Sequence, residues 1–407
     1  MASLMVVVGD VSADRHTAKI LERLKEKRPD LHVFGAGGPH MRATGMEQLF
    51  KTEEFTVIGI FEVVRSLPFF YRMRQTLLKA IDERKPDAVL LVDSGGFNIQ
   101  FATAVRKRNP NLPIYYFISP QIWASRPWRV LAIRKAVSKM LTVFPFEEPI
   151  YLKQKVPARF VGHYLMHDLP DVNSLPDREE FITSLGLDPK KPVIAVLPGS
   201  RRQEVKLHMP IVVQAMEALM KLRPDVQFIV SKATERVGPL VEEALRVRGL
   251  NALDGPNALE GPSATGKRLA IISGGSNFAL YKNCDFIWAK SGTNTLEITL
   301  FGCPMLIFFK GNWFSYFIVM FFKTVKNVGW PNLLAGKLLV PELLQMDCRS
   351  ELIVRYSLDF LDVPALGKEI REELLTLGKE LGSGDFVENC TEELMALLKP
   401  ASLTVKS

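Results

Sequence analysis

One segment near the middle of the chain constrains its fold more than any other: an apolar run, a short turn and an amphipathic helix. The run from Val193 to Leu197, mostly β-branched, is typical of a strand that is buried on both faces. A Pro-Gly-Ser turn follows at 198–200, and from Val205 onwards apolar residues return at helical spacing. This segment therefore predicts a strand, a tight turn and a helix.

The same arrangement recurs along most of the chain. Further apolar runs predict strands, with helical periodicity between many of them; the runs are 4–8, 32–38, 88–92, 114–118, 140–143, 226–230, 285–289 and 305–309. Alternating strands and helices predict mostly parallel sheets with helices on both faces, which is the α/β class. From residue 342 onwards the pattern predicts helices.

The length of 407 residues suits two domains of ordinary size. We expect Rossmann-like domains at 1–168 and 178–350, followed by C-terminal helices at 351–407. The polar, proline-containing stretch between the two domains is typical of a linker. The stretch 255–276, rich in glycine, serine and proline, has no predicted role.

The composition and the net charge indicate the class of protein and the kinds of partner that it binds. At 47% apolar and 24% charged residues, the chain is typical of a globular protein. Its net charge is +8, with basic clusters at 65–74, 126–139 and 323–337, which favours a phosphate-bearing substrate or an anionic membrane surface. No nucleic-acid-binding motif accompanies the charge, so no nucleic-acid partner is expected.

The spacing of the cysteines and the lengths of the apolar runs indicate the cellular compartment in which the protein is expected. The four cysteines are far apart and lack metal-ligand spacing, which predicts reduced, buried thiols in a cytosolic protein. The apolar N-terminal run has no cationic region before it and is predicted to be a first strand rather than a signal peptide. No run reaches the roughly 18 apolar residues that a membrane-spanning helix needs.

The turn after the strand at 193–197 is a candidate phosphate site. It leads into a helix N-terminus, where backbone N–H groups and the helix dipole suit an anion. Gly199 lets a ligand approach closely, and Arg201 offers a bidentate contact. An ordinary turn with a solvated arginine is the alternative. A second polar helix start, at 290–297, follows a later strand.

Asp93 is the candidate catalytic residue because it directly follows the strand at 88–92. A carboxylate at the C-terminal end of a strand in an open α/β sheet faces the ligand crevice. The alternative is an aspartate that caps a helix or forms a turn.

The segment at 57–73 is a candidate membrane contact. Arginines alternate there with large apolar side chains, as in amphipathic segments that lie in a membrane interface; the expected contacts are Val63, Val64, Leu67, Phe69, Phe70 and Met73. The uncharged run at 313–322 suits the same role or the covering of an acyl chain. A core helix is the alternative at both places.

Taken together, the strand ends carry motifs that resemble those of the lipid-A-disaccharide synthase family, which is glycosyltransferase family 19. The motifs occur in the family's order, at 9–14, 93–98, 119–124, 144–147, 160–163, 197–201, 291–297 and 331–336. Leu-Pro-Gly-Ser-Arg, followed by Ser-Gly-Thr and then Pro-Asn-Leu-Leu-Ala-Gly, is the most specific part. The resemblance runs from residue 5 to about 345.

The resemblance implies a GT-B fold, in which two Rossmann-like domains face a cleft, and a reaction. That reaction is transfer of 2,3-diacylglucosamine from UDP-2,3-diacylglucosamine to 2,3-diacylglucosamine 1-phosphate (lipid X), with inversion. The products are the β-1,6-linked lipid A disaccharide 1-phosphate and UDP. The family implies a cytoplasmic enzyme peripheral on the inner face of the cytoplasmic membrane, and it is compatible with a homodimer. No metal or organic cofactor is implied.

The resemblance also assigns residues by similarity. Asp93 is the catalytic aspartate. The residues expected to bind UDP are Gly199, Ser200, Arg201, Ser291, Gly292, Thr293 and Glu297. Those expected on the acceptor side or in the cleft are Asp10, Ser12, Asp14, Asn98, Ser119, Gln121, Trp123, His163 and Asn332. The chain departs from the family pattern at Asp10, Ala13 and Gly96, where the family usually has glutamate, glycine and aspartate.

Chemistry supports these assignments separately. An inverting displacement needs a base for the acceptor hydroxyl, which Asp93 supplies. The departing diphosphate gains negative charge that Arg201 and backbone N–H groups stabilise, and Glu297 suits ribose hydroxyls. Two alternatives stay open: another sugar-nucleotide enzyme, such as a UDP-GlcNAc transferase or UDP-GlcNAc 2-epimerase, and a basic protein that only binds anionic lipid.

Overall fold

The computed structural model describes residues 2–9, 11–51, 60–250, 253–254, 268–274, 277–311, 326–382 and 385–398. The chain divides into two compact units. The first unit contains Met1–His167 and Leu381–Ser407, and the second contains Asp168–Glu380. The stretch 351–407, predicted as a separate set of helices, is thus shared between the two units.

The described residues of the first unit form a sheet of seven parallel strands in the order β3-β2-β1-β4-β5-β6-β7. Its strands are β1 Ser3–Val8, β2 His32–Gly37, β3 Glu47–Lys51, β4 Ala88–Val92, β5 Ile114–Phe117, β6 Lys139–Thr142 and β7 Ala158–Phe160. Its helices include α1 Val11–Lys27, α2 Pro39–Ala43, α3 Ile60–Arg84, α4 Gly95–Arg108, α5 Val130–Ala136, α6 Glu147–Lys153 and α7 Leu165–Asp168, which ends at the unit boundary.

The second unit repeats this architecture in its described residues, with the parallel order β10-β11-β9-β8-β12-β13-β14. The strands are β8 Val193–Leu197, β9 Gln227–Lys232, β10 Leu253–Asp254, β11 Leu269–Ser273, β12 Phe286–Lys290, β13 Met305–Phe309 and β14 Glu342–Leu344. The helices include α8 Arg178–Ser184, α9 Arg202–Leu222, α10 Gly238–Val247, α11 Phe278–Asn283, α12 Asn294–Leu300, α13 Trp330–Ala335, α14 Ser350–Asp362 and α15 Pro364–Leu381. The last described helix, α16 Phe386–Met395, lies in the first unit.

Each unit has its own apolar core between the sheet and its helices. Strands β4 and β8 are buried along their whole length, as expected where helices cover both faces of a parallel sheet. All four cysteines, Cys284, Cys303, Cys348 and Cys390, are buried, and burial raises the pKa of each thiol. The predicted α/β class is therefore confirmed.

The strand order reverses once in the middle of each described sheet. In the first unit the reversal lies between β1 and β4, where Val8 is opposite Val92. In the second it lies between β8 and β12, where Leu197 is opposite Ala289. Ligands of open α/β sheets bind outside the carboxyl ends of the strands at such a reversal. These two edges are therefore the places to look for a site.

Several predicted elements differ in detail from the structure. The predicted strands 88–92, 193–197 and 305–309 have the predicted bounds. The helical prediction from residue 342 onwards is wrong at its start, because Glu342–Leu344 pairs with β13 as the parallel strand β14. The amphipathic segment contributes to α3, which begins at Ile60. Among the described helices, none is long and apolar enough to cross a membrane.

Candidate active site

A cavity of about 230 Å³ opens at the carboxyl ends of β8 and β12 in the second unit. Its lining is Leu197, Pro198, Gly199, Ser200, Ser231, Ala233, Asn277, Tyr281, Lys290, Gly292, Thr293, Asn294 and Glu297. Most of the residues predicted to bind UDP therefore share one cavity. Ser291 is not part of this lining and donates its backbone N–H to the Phe308 carbonyl at 3.0 Å.

The turn after β8 is shaped by glycine and by a buried histidine. Gly199 has φ +121°, a backbone conformation that favours glycine, and a Cβ there would lie 2.9 Å from Glu204 Oε2. His208 Nδ1 lies 2.8 Å from the Pro198 carbonyl oxygen, and the N–H of Lys310 donates to Nε2 at 3.0 Å. Burial lowers the pKa of His208, which favours a neutral ring with its proton on Nδ1. The ring thereby ties the turn to the end of β13.

A lysine provides a positive charge in this cavity. Lys290 ends β12, and its Nζ lies 3.0 Å from Glu204 Oε1. Both side chains are mostly buried, and Glu204 Oε2 has no hydrogen-bond partner in the described part of the chain. Lys290 is not among the residues predicted from the sequence to bind UDP, although its place at the end of a predicted strand is a usable signal.

Arg201 was also predicted to bind UDP, and its side chain is exposed. Its side chain is 83% exposed, its guanidinium is 3.8 Å from Glu204 Oε1, and it is not part of the cavity lining. Glu297 does face the cavity, where it accepts the Tyr281 hydroxyl at 3.1 Å. Burial raises the pKa of Glu297.

Asp93 lies in the first unit at the corresponding strand end, in an unusual backbone conformation. Asp93 and Ser94 both have positive φ, at +52° and +45°, immediately before α4. Asn98 donates to the Asp93 carbonyl at 2.9 Å, and the Tyr116 hydroxyl donates to the same oxygen. A Cβ at Gly9 would lie 2.1 Å from Ser94 Cβ, so β1 passes this turn only with glycine there. Non-glycine residues in this region cost energy and cluster at functional sites.

The half-buried Asp93 carboxylate also serves its own turn. Its Oδ1 accepts the Ser94 N–H at 2.7 Å, as expected for a turn-forming aspartate. The two interpretations of Asp93, a catalytic carboxylate and a turn-forming aspartate, are therefore compatible, because holding the turn uses only one carboxylate oxygen.

Two residues predicted for the acceptor side or the cleft are bonded within their own units instead. Asp14 is fully buried, and its carboxylate accepts the backbone N–H groups of Gly38, His40 and Met41 at 2.7, 2.8 and 3.2 Å. Asn332 is equally buried, and its amide bonds the backbone at 339–340 and the Glu342 carboxylate. Both side chains organise loops.

The motif after β5, at residues 119–124, contributes side chains to a buried polar cluster around Glu147. Ser119 Oγ and Trp123 Nε1 both donate to Glu147 Oε1, at 2.7 and 3.0 Å. Burial raises the pKa of Glu147 to about 7. His163 is also buried, and burial lowers its pKa to about 3 while its Nδ1 accepts the Leu165 N–H. Gln121, in contrast, is exposed.

A comparison with protein-family models identifies the family to which this chain belongs. A family model described as lipid-A-disaccharide synthetase matches residues 4–363. The chain belongs to that family. Membership in the lipid-A-disaccharide synthetase family makes it an enzyme, a glycosyltransferase, whose function is lipid A disaccharide synthesis.

Relatives within this family align with nearly the whole chain. The lipid-A-disaccharide synthase of Geobacter sulfurreducens is 33% identical over 395 residues, covering 97% of this chain and 96% of the relative. That of Anaeromyxobacter dehalogenans is 36% identical over 351 residues, covering 86% and 85%.

Solved structures share the fold at low identity. A putative UDP-N-acetylglucosamine 2-epimerase from Listeria monocytogenes aligns with a TM-score of 0.60 at 13% identity, covering 97% of this chain and 96% of that one. A glycosyltransferase from Rickettsia africae aligns with a TM-score of 0.54 at 12% identity, covering 97% of each chain. The predicted GT-B fold is confirmed.

The described residues that were predicted as membrane contacts differ in their burial. Met73 is 1% exposed and belongs to the core of the first unit, so it is not an exposed contact. Phe69 and Phe70 are half-buried, and Phe70 packs 5.8 Å from Phe97 between ring centroids. Outside the described structure lie Asp10, the run 313–322 and the side chains of Ser12, Val63, Val64 and Leu67.

A metal site has no support in the described part of the chain. No group of three or more His, Cys, Asp or Glu side chains there could hold an ion.

Proposed function

We propose that this chain transfers 2,3-diacylglucosamine from UDP-2,3-diacylglucosamine to 2,3-diacylglucosamine 1-phosphate. The products are the β-1,6-linked disaccharide 1-phosphate and UDP, and the anomeric centre inverts. The reaction is proposed from family membership. The roles of the individual residues are proposed from the polar cavity at the β8/β12 reversal.

UDP is proposed to bind in that cavity. Lys290 and the backbone of Gly199 and Ser200 stabilise the diphosphate, on which negative charge grows as the glycosidic bond breaks. Glu297, together with the turn of Ser291, Gly292 and Thr293, is proposed to hold the nucleoside, with the carboxylate on ribose hydroxyls. Arg201 is proposed to reach the donor from its exposed position beside Glu204.

Asp93 is the proposed general base. Its carboxylate takes the proton from the acceptor 6-hydroxyl while that oxygen attacks the anomeric carbon, and the electron pair of the broken bond leaves with UDP. The left-handed backbone at Asp93 and Ser94 supports this role, because Asn98 donates to the Asp93 backbone carbonyl and the Ser94 N–H holds one carboxylate oxygen at the strand end. A role on the acceptor side or in the cleft is also proposed for the remaining predicted residues, such as Gln121 and His163.

The substrates carry acyl chains, so the proposal includes a place at a membrane. We propose that the enzyme is cytoplasmic and works peripherally on the inner face of the cytoplasmic membrane. The net charge of +8 and the exposed basic residues favour an anionic lipid surface.

The test is a donor-plus-acceptor assay on the full chain, with the product identified by mass. Disaccharide 1-phosphate and UDP are expected from UDP-2,3-diacylglucosamine and the acceptor, and UDP-GlcNAc is expected to be a poor donor. A parallel reaction with UDP-GlcNAc alone detects epimerisation, because the Listeria fold neighbour is a putative 2-epimerase. Epimerised sugar nucleotide without disaccharide would contradict the proposal.

A further inference from the structure

Arg129 is a half-buried cation beside the candidate catalytic turn. It ends the short 3-10 turn Pro127–Arg129, which follows the motif after β5. Its guanidinium makes no hydrogen bond or ion pair within the part of the chain that the structure describes. Burial lowers the pKa of Arg129, and the nearby positive charge of Arg126 lowers it further. The site therefore holds a partly desolvated positive charge that forms no ion pair with a carboxylate of the described residues.

The position of this guanidinium relates it to Asp93. A Cβ at Gly95, two residues after Asp93, would lie 3.4 Å from Arg129 Nη1. Burial and the charge of Asp93 raise the pKa of Tyr116, whereas the charge of Arg129 lowers it. The Tyr116 hydroxyl in turn donates to the Asp93 carbonyl. Arg129 thus reaches the strand end where β1 and β4 reverse the sheet order.

We propose that Arg129 binds the phosphate group of the acceptor. A partly buried charge is costly without a counter-ion, and a guanidinium pairs with phosphate through parallel hydrogen bonds. This inference rests on the proposed function, in which phosphates are the charged groups of both substrates. The donor diphosphate is proposed to bind beside Lys290 in the second unit, which leaves the acceptor 1-phosphate for Arg129.

The position of the glycine supports this assignment. Gly95 leaves room between the Pro120 ring and the guanidinium, since a Cβ there would lie 3.0 Å from Pro120 Cβ as well as 3.4 Å from Arg129 Nη1. The guanidinium therefore approaches the backbone that begins α4. Arg134, on the exposed side of α5, is a matched cation away from this backbone and serves as the control.

The test compares two acceptors, 2,3-diacylglucosamine 1-phosphate and the same lipid without its phosphate, in the wild type, R129A, R129K and R134A. R129A is expected to raise the KM for the phosphorylated acceptor about 10- to 100-fold, the loss of one charge-assisted contact. It is expected to remove most of the discrimination between the two acceptors while the donor KM stays unchanged. R129K is expected to recover part of that discrimination, and R134A is expected to match the wild type.

A binding experiment keeps the inference separate from the reaction. Calorimetric titration of glucosamine 1-phosphate is expected to give binding to the wild type and R134A, and at least tenfold weaker binding to R129A. If the wild type makes no disaccharide, the proposed function fails, and this titration still decides the role of Arg129. An equal loss on both acceptors, or a rise confined to the donor KM, would overturn the inference. Melting curves establish that each variant is folded.

Discussion

The strand ends at the two sheet reversals use polar side chains in opposite ways. In the second unit, Lys290 and Glu297 line an open cavity. In the first, Asp14 and Asn98 are buried; Asp14 accepts N–H groups of the loop after β2, and Asn98 donates to the backbone at the end of β4. Similar positions in similar folds therefore do not give similar roles. A polar motif residue at a strand end is a ligand candidate only when its hydrogen-bonding groups face space.

The difference has an energetic cause. A buried carboxylate is tolerated when backbone N–H groups satisfy it, and a loop closed around such a carboxylate becomes rigid. An open cavity instead keeps groups partly solvated, so a ligand can replace water. Asp93 combines the two cases, because it is half-buried and one of its oxygens holds the turn.

Asp93→Asn is the largest test of this contrast. Asparagine adopts positive φ more readily than alanine does, so the variant keeps the turn while removing the base. We expect kcat to fall by about 10²- to 10⁴-fold, with UDP affinity from calorimetry unchanged. Turnover within a fewfold of the wild type would mean that Asp93 only builds its turn, as Asp14 does elsewhere in the same unit.

Asp14→Ala tests the opposite case. Its carboxylate accepts the N–H groups of Gly38, His40 and Met41, and each buried N–H left without an acceptor costs about 1 kcal/mol or more. Urea denaturation is expected to show a free energy of unfolding lower by about 3 kcal/mol. The acceptor KM, measured well below the melting temperature, is expected to stay near the wild-type value. A large KM change with intact stability would place Asp14 at the substrate.

Lys290→Met sharpens the description of the cavity. Loss of a charge-assisted contact is expected to weaken UDP binding by about 10- to 100-fold in calorimetry. The exposed Arg201 is expected to matter less, so R201A should weaken binding by a smaller factor. The double variant K290M/E204Q is measured as well, because it avoids leaving the buried Glu204 carboxylate unpaired. Lys206→Ala, on the exposed side of α9, is the control. A larger effect for R201A than for K290M would reverse this ranking.

The smallest expected effect concerns Glu147 and pH. Burial raises its pKa from 4.5 to about 7, so the folded state holds the proton more tightly than the unfolded state does. Its contribution to stability is greatest below pH 4.5 and is lost as the pH rises towards 7. We expect the free energy of unfolding to fall by about 2 kcal/mol more in the wild type than in E147Q between pH 5.5 and 7.5. Parallel stability curves for the two proteins would argue against the raised pKa.

Sequence patterns predicted the strands far better than the side-chain directions at their ends. Apolar runs such as 88–92 and 193–197 have one stable solution, burial on both faces of a parallel sheet, so their bounds were predicted correctly. Glu342–Leu344 was misassigned because so short a strand has too few residues to show periodicity.

The side-chain directions depend on loop backbone instead. Whether Asp14 points into its own loop or into a ligand space depends on where the turn after β2 places its N–H groups. Lys290 has no periodic signature in the sequence, because it is a single charged residue at a strand end, and its partner Glu204 is far away along the chain. Tertiary pairing, rather than local pattern, settles such cases.

The burial of every cysteine has a practical consequence. A thiol with a raised pKa forms little thiolate near neutral pH, and thiolate is the form that reacts with maleimides. The native protein should therefore take up fluorophore slowly without any prior cysteine removal. A single substitution such as Val247→Cys, at a residue that is 73% exposed, would then provide one fast-labelling position for optical probes.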